Sequence, residues 1–225
     1  MKMMTNLFSI FDPTTSYINS MNWMALILPL MFMPYSYWLV PSRIQLIWSM
    51  FFNIIYKEFS LLTKKMYKTN IIIFISLMSY IMLMNIMGLI SYIFTPTSHL
   101  SINLSLSLTL WLSFMIYGWL INTNKMFTHL VPLNTPLMLM NFMVLIESIS
   151  NFIRPWTLSI RLTANMIAGH LLLSLLGSSM NNMLFYIIPM IIIIQNMLMI
   201  LEISVSIIQS YVFSVLSLLY FNESN

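Results

Sequence analysis

The chain has no cysteine among its 225 residues, and only 6% of its residues are charged. The absence of cysteine excludes disulfide bonds, thiolate metal sites, iron–sulfur clusters and cysteine redox chemistry. The shortage of charge excludes a soluble globular protein, because soluble domains carry about 25% charged residues. Disorder is excluded as well, since disordered chains combine high charge with low hydrophobicity.

Apolar residues make up most of the chain. They account for 60% of it, the mean hydropathy is +0.89, and several uncharged runs are long enough to span a membrane. This composition predicts an all-α integral membrane protein. The abundance of Ile, Met, Asn, Phe, Tyr and Lys is typical of AT-rich coding and favours an organelle genome. The start of the chain, residues 1–20, holds only two charges, Lys2 and Asp12, so no Arg-rich transit peptide is predicted.

The apolar runs divide a single membrane domain, 1–225, into about five membrane helices. The predicted membrane segments are 21–40, 71–94, 102–121, 137–176 and 183–221. A run of about 20 residues suits a hydrocarbon core of about 30 Å. Each of the last two segments would reach about 60 Å as one helix, so each is expected to be either two spans or one steeply tilted helix. Gly177, Ser178 and Ser179 are expected to join them as a hairpin.

Residues 43–68 are predicted to form an amphipathic helix in the membrane interface, with a plain loop as the alternative. Polar residues recur every three or four positions from Gln45 to Lys64, and large apolar residues fill the other face. The connection 41–70 carries five basic residues and one acidic residue, a net charge of +4. The positive-inside rule places it on the interior side of the membrane, so the N-terminus is expected outside and the C-terminus inside.

Five ionisable residues lie in apolar context near the end of the chain: Glu147, Arg154, Arg161, His170 and Glu202. Each would cost at least a few kcal/mol in hydrocarbon, so such residues are expected to face a cavity, a partner or a path. Seven residues make almost two helical turns, so Glu147, Arg154 and Arg161 share one stripe. A second stripe repeats this spacing with Gln195, Glu202 and Gln209. Two polar seams on facing helices favour a proton-accessible path; the alternative is a seam that fixes the register of the hairpin.

The chemistry of these side chains indicates different roles. Arg161 stays protonated, so it can supply a fixed positive charge but cannot relay protons. Arg154 is expected either to join the polar path or to snorkel toward an interface. His170 titrates near neutral pH, and Glu202 is a natural partner because a buried carboxylate needs a donor. The alternative for His170 is ordinary packing inside the membrane domain.

The most specific motif is residues 153–172, with the sequence IRPWTLSIRLTANMIAGHLL. This motif resembles the signature of the ATP synthase subunit a family in its mitochondrial, insect-like form. Residues 201–203 and 208–213 match the family's final helix, and residues 5–13, 95–100 and 129–132 also fit. Ser91 departs from the family pattern, since many members have proline at that position.

The resemblance implies the proton-translocating stator subunit of the F0 sector of ATP synthase, a subunit that carries out no chemistry alone. Arg161 matches the stator arginine that separates two proton half-channels. His170 and Glu202 match the half-channel open to the intermembrane space, and Glu147 matches the acid of the matrix half-channel. The polar neighbours of the arginine would be Asn165 and Gln209. Arg154 matches no position of general function.

The resemblance also implies a multi-pass protein of the mitochondrial inner membrane, with its N-terminus in the intermembrane space and its C-terminus in the matrix. The implied partners are a c-ring, around which the long tilted helices wrap, peripheral-stalk and accessory F0 subunits including subunit 8, protons and lipid. No nucleic acid, cofactor or metal is expected. A rival is another respiratory-chain or transporter subunit, although haem would need paired intramembrane histidines and only His170 qualifies. A structural scaffold would lack ionisable seams. His99 and His129 fall in predicted loops and receive no role.

Overall fold

The computed structural model describes residues 7–15, 19–90, 92–131, 136, 139–180 and 186–224. Ser91 and the first residues of the predicted segments 137–176 and 183–221 lie outside the described residues. Within the described parts the chain is helical and has no strand. The helices are α1 Leu28–Met31, α2 Arg43–Leu62, α3 Ile71–Gly88, α4 Leu100–Ile121, α5 Thr123–Leu130, α6 Met140–Met180 and α7 Ile188–Ser224. The shorter 3-10 turns are Leu7–Phe11, Met21–Leu26, Lys65–Asn70 and Pro96–Ser98.

Four of the described helical stretches are long and apolar enough to cross a membrane. They are Tyr67–Gly88, Leu100–Ile121, Met140–Met180 and Ile188–Ser224. A shorter apolar stretch, Met21–Met31, precedes them. These helices confirm the prediction of an all-α integral membrane protein.

Each of the two long segments forms one continuous helix rather than two spans. α6 has 41 residues and α7 has 37, so at 1.5 Å per residue α6 is about 60 Å long. Pro155 is buried inside α6 without ending it, since membrane helices tolerate proline where neighbours cover the freed carbonyl. α6 also continues through the predicted Gly177–Ser179 turn. The hydroxyls of Ser178 and Ser179 donate to carbonyls three residues earlier, within an intact last turn.

The predicted span at 21–40 does not form one helix. A 3-10 turn is followed by the single turn of α1, and residues 32–42 are not helical. Pro29 lies at the start of α1, while Pro34 and Pro41 lie in the irregular part. Each proline lacks an N–H donor and disfavours helical backbone in the residue before it. The closely spaced prolines therefore limit this segment to a short helical stretch.

A helix, α2, is present where the sequence predicted an interfacial helix, but it ends at Leu62 rather than near residue 68. A capping box begins it: the Ser42 hydroxyl accepts from the Gln45 N–H, and the Gln45 side chain accepts from the Ser42 N–H. Ile55 and Phe59 are buried on one face. α2 thus rests on the bundle along a narrow stripe.

Two apolar clusters hold the long helices together. The first joins α2, α3 and α7 and consists of Ile55, Phe59, Ile71, Phe74, Met78, Leu218 and Phe221. The second joins α3, α6 and α7 and consists of Ile81, Leu158, Leu162 and Phe213. α7 therefore packs along α3 on one side and along α6 on another, which positions the polar residues of α6 against those of α7.

The bundle has two distinct ends. At one end, Asn222 Nδ2 donates to the Leu62 carbonyl over 2.9 Å and Asn122 Nδ2 donates to the Ser224 carbonyl over 3.2 Å. The lysines next to these residues in sequence are Lys64, Lys65 and Lys125, so we name this the basic end. α4 runs from there to the opposite end, which contains the Leu7–Phe11 turn and the Pro96–Ser98 turn.

Candidate functional site

Two cavities lie along α6, one near the basic end and one between α3, α6 and α7. The basic-end cavity has a volume of about 440 Å³, and its polar lining includes Glu147, Ser148, Asn151, Arg154 and Glu223. The second has a volume of about 200 Å³, and we name it the Glu202 cavity. Its polar lining consists of Asn85, Asn165, Glu202, Ser206 and Gln209. Four of the predicted site residues therefore line one cavity or the other: Glu147, Asn165, Glu202 and Gln209.

Arg154 is bound between two carboxylates in the basic-end cavity. Its guanidinium donates to Glu223 Oε2 over 2.5 Å and to Glu147 Oε1 over 3.4 Å. The guanidinium carbon lies 5.1 Å from the centre of the Tyr220 ring, within range of a cation–π contact. The charge of Arg154 is therefore compensated inside the chain, by Glu147 of its own helix and by Glu223 at the end of α7.

Glu223 was not singled out from the sequence, although a signal for it exists. The seven-residue spacing of Gln195, Glu202 and Gln209 reaches position 223 after two further steps. The intervening position, Leu216, is apolar, so the polar pattern is interrupted where it would have led to Glu223.

Glu202 packs directly against Gly169, where α7 is in close contact with α6. A Cβ added at Gly169 would lie only 2.9 Å from Glu202 Cδ and 3.0 Å from Oε1, so the carboxyl group fits only because residue 169 has no side chain. Glu202 is 8% exposed. Neither of its carboxylate oxygens has a hydrogen-bond partner among the described residues.

The rest of the Glu202 cavity is mostly apolar, with a few polar side chains beside the carboxyl group. Asn85 is fully buried, and neither amide atom has a partner within the described parts of the chain. Asn165 Nδ2 donates to Gln209 Oε1 over 3.2 Å, which joins α6 to α7. A cavity of about 200 Å³ has room for several water molecules, since each takes about 30 Å³ in the liquid. Asn85, Asn165 and Gln209 supply polar partners for such waters beside the Glu202 carboxylate.

His170 lies beside the Glu202 cavity rather than in its lining. The contact with Glu202 is made by Gly169, the residue before His170, and no hydrogen bond joins the imidazole to the carboxylate. The Nε2 atom of His170 is buried, and no partner for it occurs among the residues that the structure describes. Its ring meets the Phe11 ring edge-on at 6.1 Å between centroids.

Arg161 lies between the two cavities on α6 and lines neither of them. Its side chain is exposed on the surface of the helix bundle. In the part of the chain that is described, no hydrogen bond or ion pair reaches its guanidinium. A permanent charge on a membrane helix needs an anion, water or an interface, so this arginine is available to a partner outside the chain.

The described residues contain no group of three or more His, Cys, Asp or Glu side chains that could hold a metal ion. The polar groups follow a fixed order along α6. Glu147 and Arg154 come first, Arg161 follows, and Asn165 and Gly169 face Gln209 and Glu202 of α7. Among the described residues, this order places Arg161, a cation without an ion-pair partner, between two cavities that each contain an acid.

Comparison with known proteins places the sequence among membrane subunits of one complex. The pattern of the ATP synthase A chain family matches residues 18–222. The chain is 56% identical over 223 residues to ATP synthase subunit a of Apis mellifera ligustica, covering 99% of this chain and 98% of that protein. It is 54% identical to the Aedes aegypti subunit and 53% identical to that of Drosophila melanogaster, with 99% of this chain and 100% of each relative covered.

Proposed function

The chain belongs to the ATP synthase A chain family, and from this premise we propose that it is the proton-translocating stator subunit of an F0 sector in the mitochondrial inner membrane. Four long apolar helices support residence in a membrane. The insect relatives, at 53–56% identity over nearly their full length, support the mitochondrial setting. The role of the chain in this proposal is to transfer protons to and from a partner.

We propose that the two cavities belong to two proton half-channels. The Glu202 cavity, with His170 beside it, belongs to the half-channel open to the intermembrane space. The basic-end cavity, with Glu147, belongs to the matrix half-channel. The lysines at the basic end favour the matrix for that end, by the positive-inside rule. This orientation puts the C-terminal Glu223 and Ser224 in the matrix and the Leu7–Phe11 turn toward the intermembrane space.

The single observation that carries the proposal is the position of Arg161 between two acid-containing cavities, exposed and without an ion-pair partner among the described residues. A carboxylic acid on a c-ring can cross lipid when neutral, whereas its ionised form is costly there. Arg161 would accommodate the ionised carboxylate as it passes from one half-channel to the other. Its fixed positive charge also opposes direct movement of protons between the cavities, because it cannot lose its own proton. Proton flow then requires rotation of the ring.

The partners follow from this role. The c-ring meets the chain at Arg161, and α6 and α7 lie along its surface. Peripheral-stalk and accessory F0 subunits, including subunit 8, contact the remaining lipid-side surface. A transporter subunit that carries its own substrate is the second candidate, but the external availability of Arg161 favours a partner carboxylate over an enclosed substrate site.

The decisive experiment replaces Arg161 in the assembled complex. Arg161→Gln should abolish ATP-driven proton pumping while leaving assembly intact, since it removes the carboxylate site and the barrier to leak. Arg161→Lys should also fail, because an ammonium is a compact point charge that can lose its proton when desolvated. Arg43→Gln, at the first residue of α2, is the matched control and should pump normally. Normal ATP-driven acidification in either Arg161 variant would refute the role.

A further inference from the structure

The 3-10 turn Leu7–Phe11 lies against α6 beside His170. The Phe11 and His170 rings meet edge-on, at 6.1 Å and an interplanar angle of 86°. Phe11 is half-buried, whereas Phe8 of the same turn is 66% exposed. Phe11 thus covers part of an imidazole whose Nε2 finds no partner among the described residues.

His99 holds this turn in place from across the sequence. Its Nε2 lies 2.9 Å from the Phe11 carbonyl oxygen, 88 residues away. A carbonyl only accepts, so Nε2 carries the hydrogen and donates it. His99 is the N-cap residue of α4, yet its side chain makes no capping bond. The imidazole is therefore committed to the Phe11 carbonyl rather than to its own helix.

Aromatic contacts fix the orientation of the His99 ring. The Trp23 ring lies 5.2 Å away and the Phe94 ring 5.3 Å away, both between centroids. A longer bond, 3.3 Å, runs from Asn22 Nδ2 to the Asp12 carbonyl next to this turn. A five-residue 3-10 turn has little stability of its own. Its position on α6 therefore depends on such tertiary contacts, and the bond from His99 is the shorter of these two.

We infer that His99 is a positioning residue for proton uptake, because it holds Phe11 against His170. The Leu7–Phe11 turn then covers the Glu202 cavity from the end of the bundle that lies opposite the basic end. This inference rests on the proposed function, which assigns that cavity to the half-channel of the intermembrane space. The cover narrows the approach to His170 and Glu202, so that solutes larger than water are held back from the buried carboxylate.

Thiol labelling tests the cover directly, because the chain has no cysteine of its own. Ser206→Cys places one thiol in the lining of the Glu202 cavity, at a side chain that is 2% exposed. Ser214→Cys gives a control thiol on the same helix, fully buried and outside that lining. The probe is a small membrane-impermeant methanethiosulfonate cation, added to the intermembrane face of the assembled complex in mitoplasts. Mass analysis of this chain gives the labelling rate.

In the Ser206→Cys background, His99→Ala should raise the labelling rate about fivefold, the factor that corresponds to the loss of one hydrogen bond. Phe11→Ala, which removes the ring that lies against His170, should also raise the rate. His99→Gln should keep the rate near that of the parent, because its amide N–H can donate to the same carbonyl. His129→Ala, on α5 near the basic end, is the matched histidine control and should change nothing. Ser214→Cys should label equally slowly in every background.

Unchanged labelling of Ser206→Cys in both His99→Ala and Phe11→Ala overturns the inference, and so does an equal rise at Ser214→Cys, which would indicate general loosening. If His99→Ala does not assemble, Phe11→Ala decides alone, since it removes the cover and keeps the tether. Labelling needs no proton flow, so a failure of this inference is distinguishable from a failure of the proposed function. The Arg161→Gln pumping assay reports the proposed function separately.

Discussion

The contact between Gly169 of α6 and Glu202 of α7 gives a sharp test of the proposed proton route. A Cβ at position 169 would lie 2.9 Å from Glu202 Cδ, whereas ordinary contacts begin at 3.4 Å. Gly169→Ala must therefore displace the carboxyl group or separate the helices by about 0.5 Å, the difference between these two distances. The substitution adds one methyl group and changes no charge.

The effect on stability should be small and the effect on proton flow large. Alanine gains about 0.5–1 kcal/mol over glycine inside a helix, and overpacking costs about 1–3 kcal/mol. The clashing atoms are the end of a flexible side chain, so the cost should lie near its lower limit and the variant should assemble. A misplacement of about 1 Å in a reacting group can cost about 100-fold in rate. A shift of about half that size should slow ATP-driven proton pumping by about tenfold.

The chain supplies a matched control on the same helix. A Cβ at Gly177 would meet no atom within 4 Å, so Gly177→Ala should assemble and pump like the parent. Adding Glu202→Asp to Gly169→Ala shortens the acid by one methylene, which relieves the overlap and should restore part of the rate. Dye quenching in vesicles, normalised to the amount of assembled complex, measures the pumping. Parental pumping in Gly169→Ala, or equal damage from Gly177→Ala, would refute the reasoning.

Two further predictions concern the His170 and Glu202 pair and the orientation of the chain in the membrane. If His170 and Glu202 act as a unit, the double exchange His170→Glu with Glu202→His should restore more proton flux than either single exchange. The reason is that the relay needs one acid and one imidazole within reach of each other or of a shared water. A double exchange with no more flux than the worse single exchange would indicate that the two residues act separately. Residues 43–68 and the C-terminus should be protected in mitoplasts while the N-terminus is cleaved by added protease. N- and C-termini on the same side would contradict the proposed orientation.

The long helices could be predicted from the sequence because hydropathy is a local property of the chain. α3 and α4 begin within two residues of the predicted positions, at Ile71 and Leu100. The choice between one long helix and two spans was left open, since proline alone does not decide whether a helix ends. That choice depends on packing around Pro155, which is buried among α4, α6 and α7. The irregular 32–42 segment was not predicted, because hydropathy outweighed the prolines in the sequence argument.

The polar stripe on α6 was predicted correctly as a helical pattern. The sequence did not predict that Glu147 and Arg154 would pair with each other while Arg161 stays apart from them. Glu147 and Arg154, seven residues apart, do meet in an ion pair. The next step of seven leads to Arg161, which shares neither partner. Spacing states only which residues share a face of one helix. Whether they share a partner depends on the helix opposite, and this long-range information is absent from local periodicity.

The two arginines of α6 show what the opposite helix contributes. Arg154 and Arg161 are about 10 Å apart along the helix axis, with the same charge and the same spacing within the stripe. The acids of α7 stand at Glu202 and Glu223, about 30 Å apart along its axis, and residues 203–222 between them include no acid. The first arginine is compensated by Glu223 at the end of α7, while the second falls in the interval that α7 leaves without a carboxylate. A carboxylate of the c-ring, supplied from outside the chain, would pair with Arg161 in that interval. An acid of this chain at the same place would compete for Arg161 and block the passage of the c-ring carboxylate.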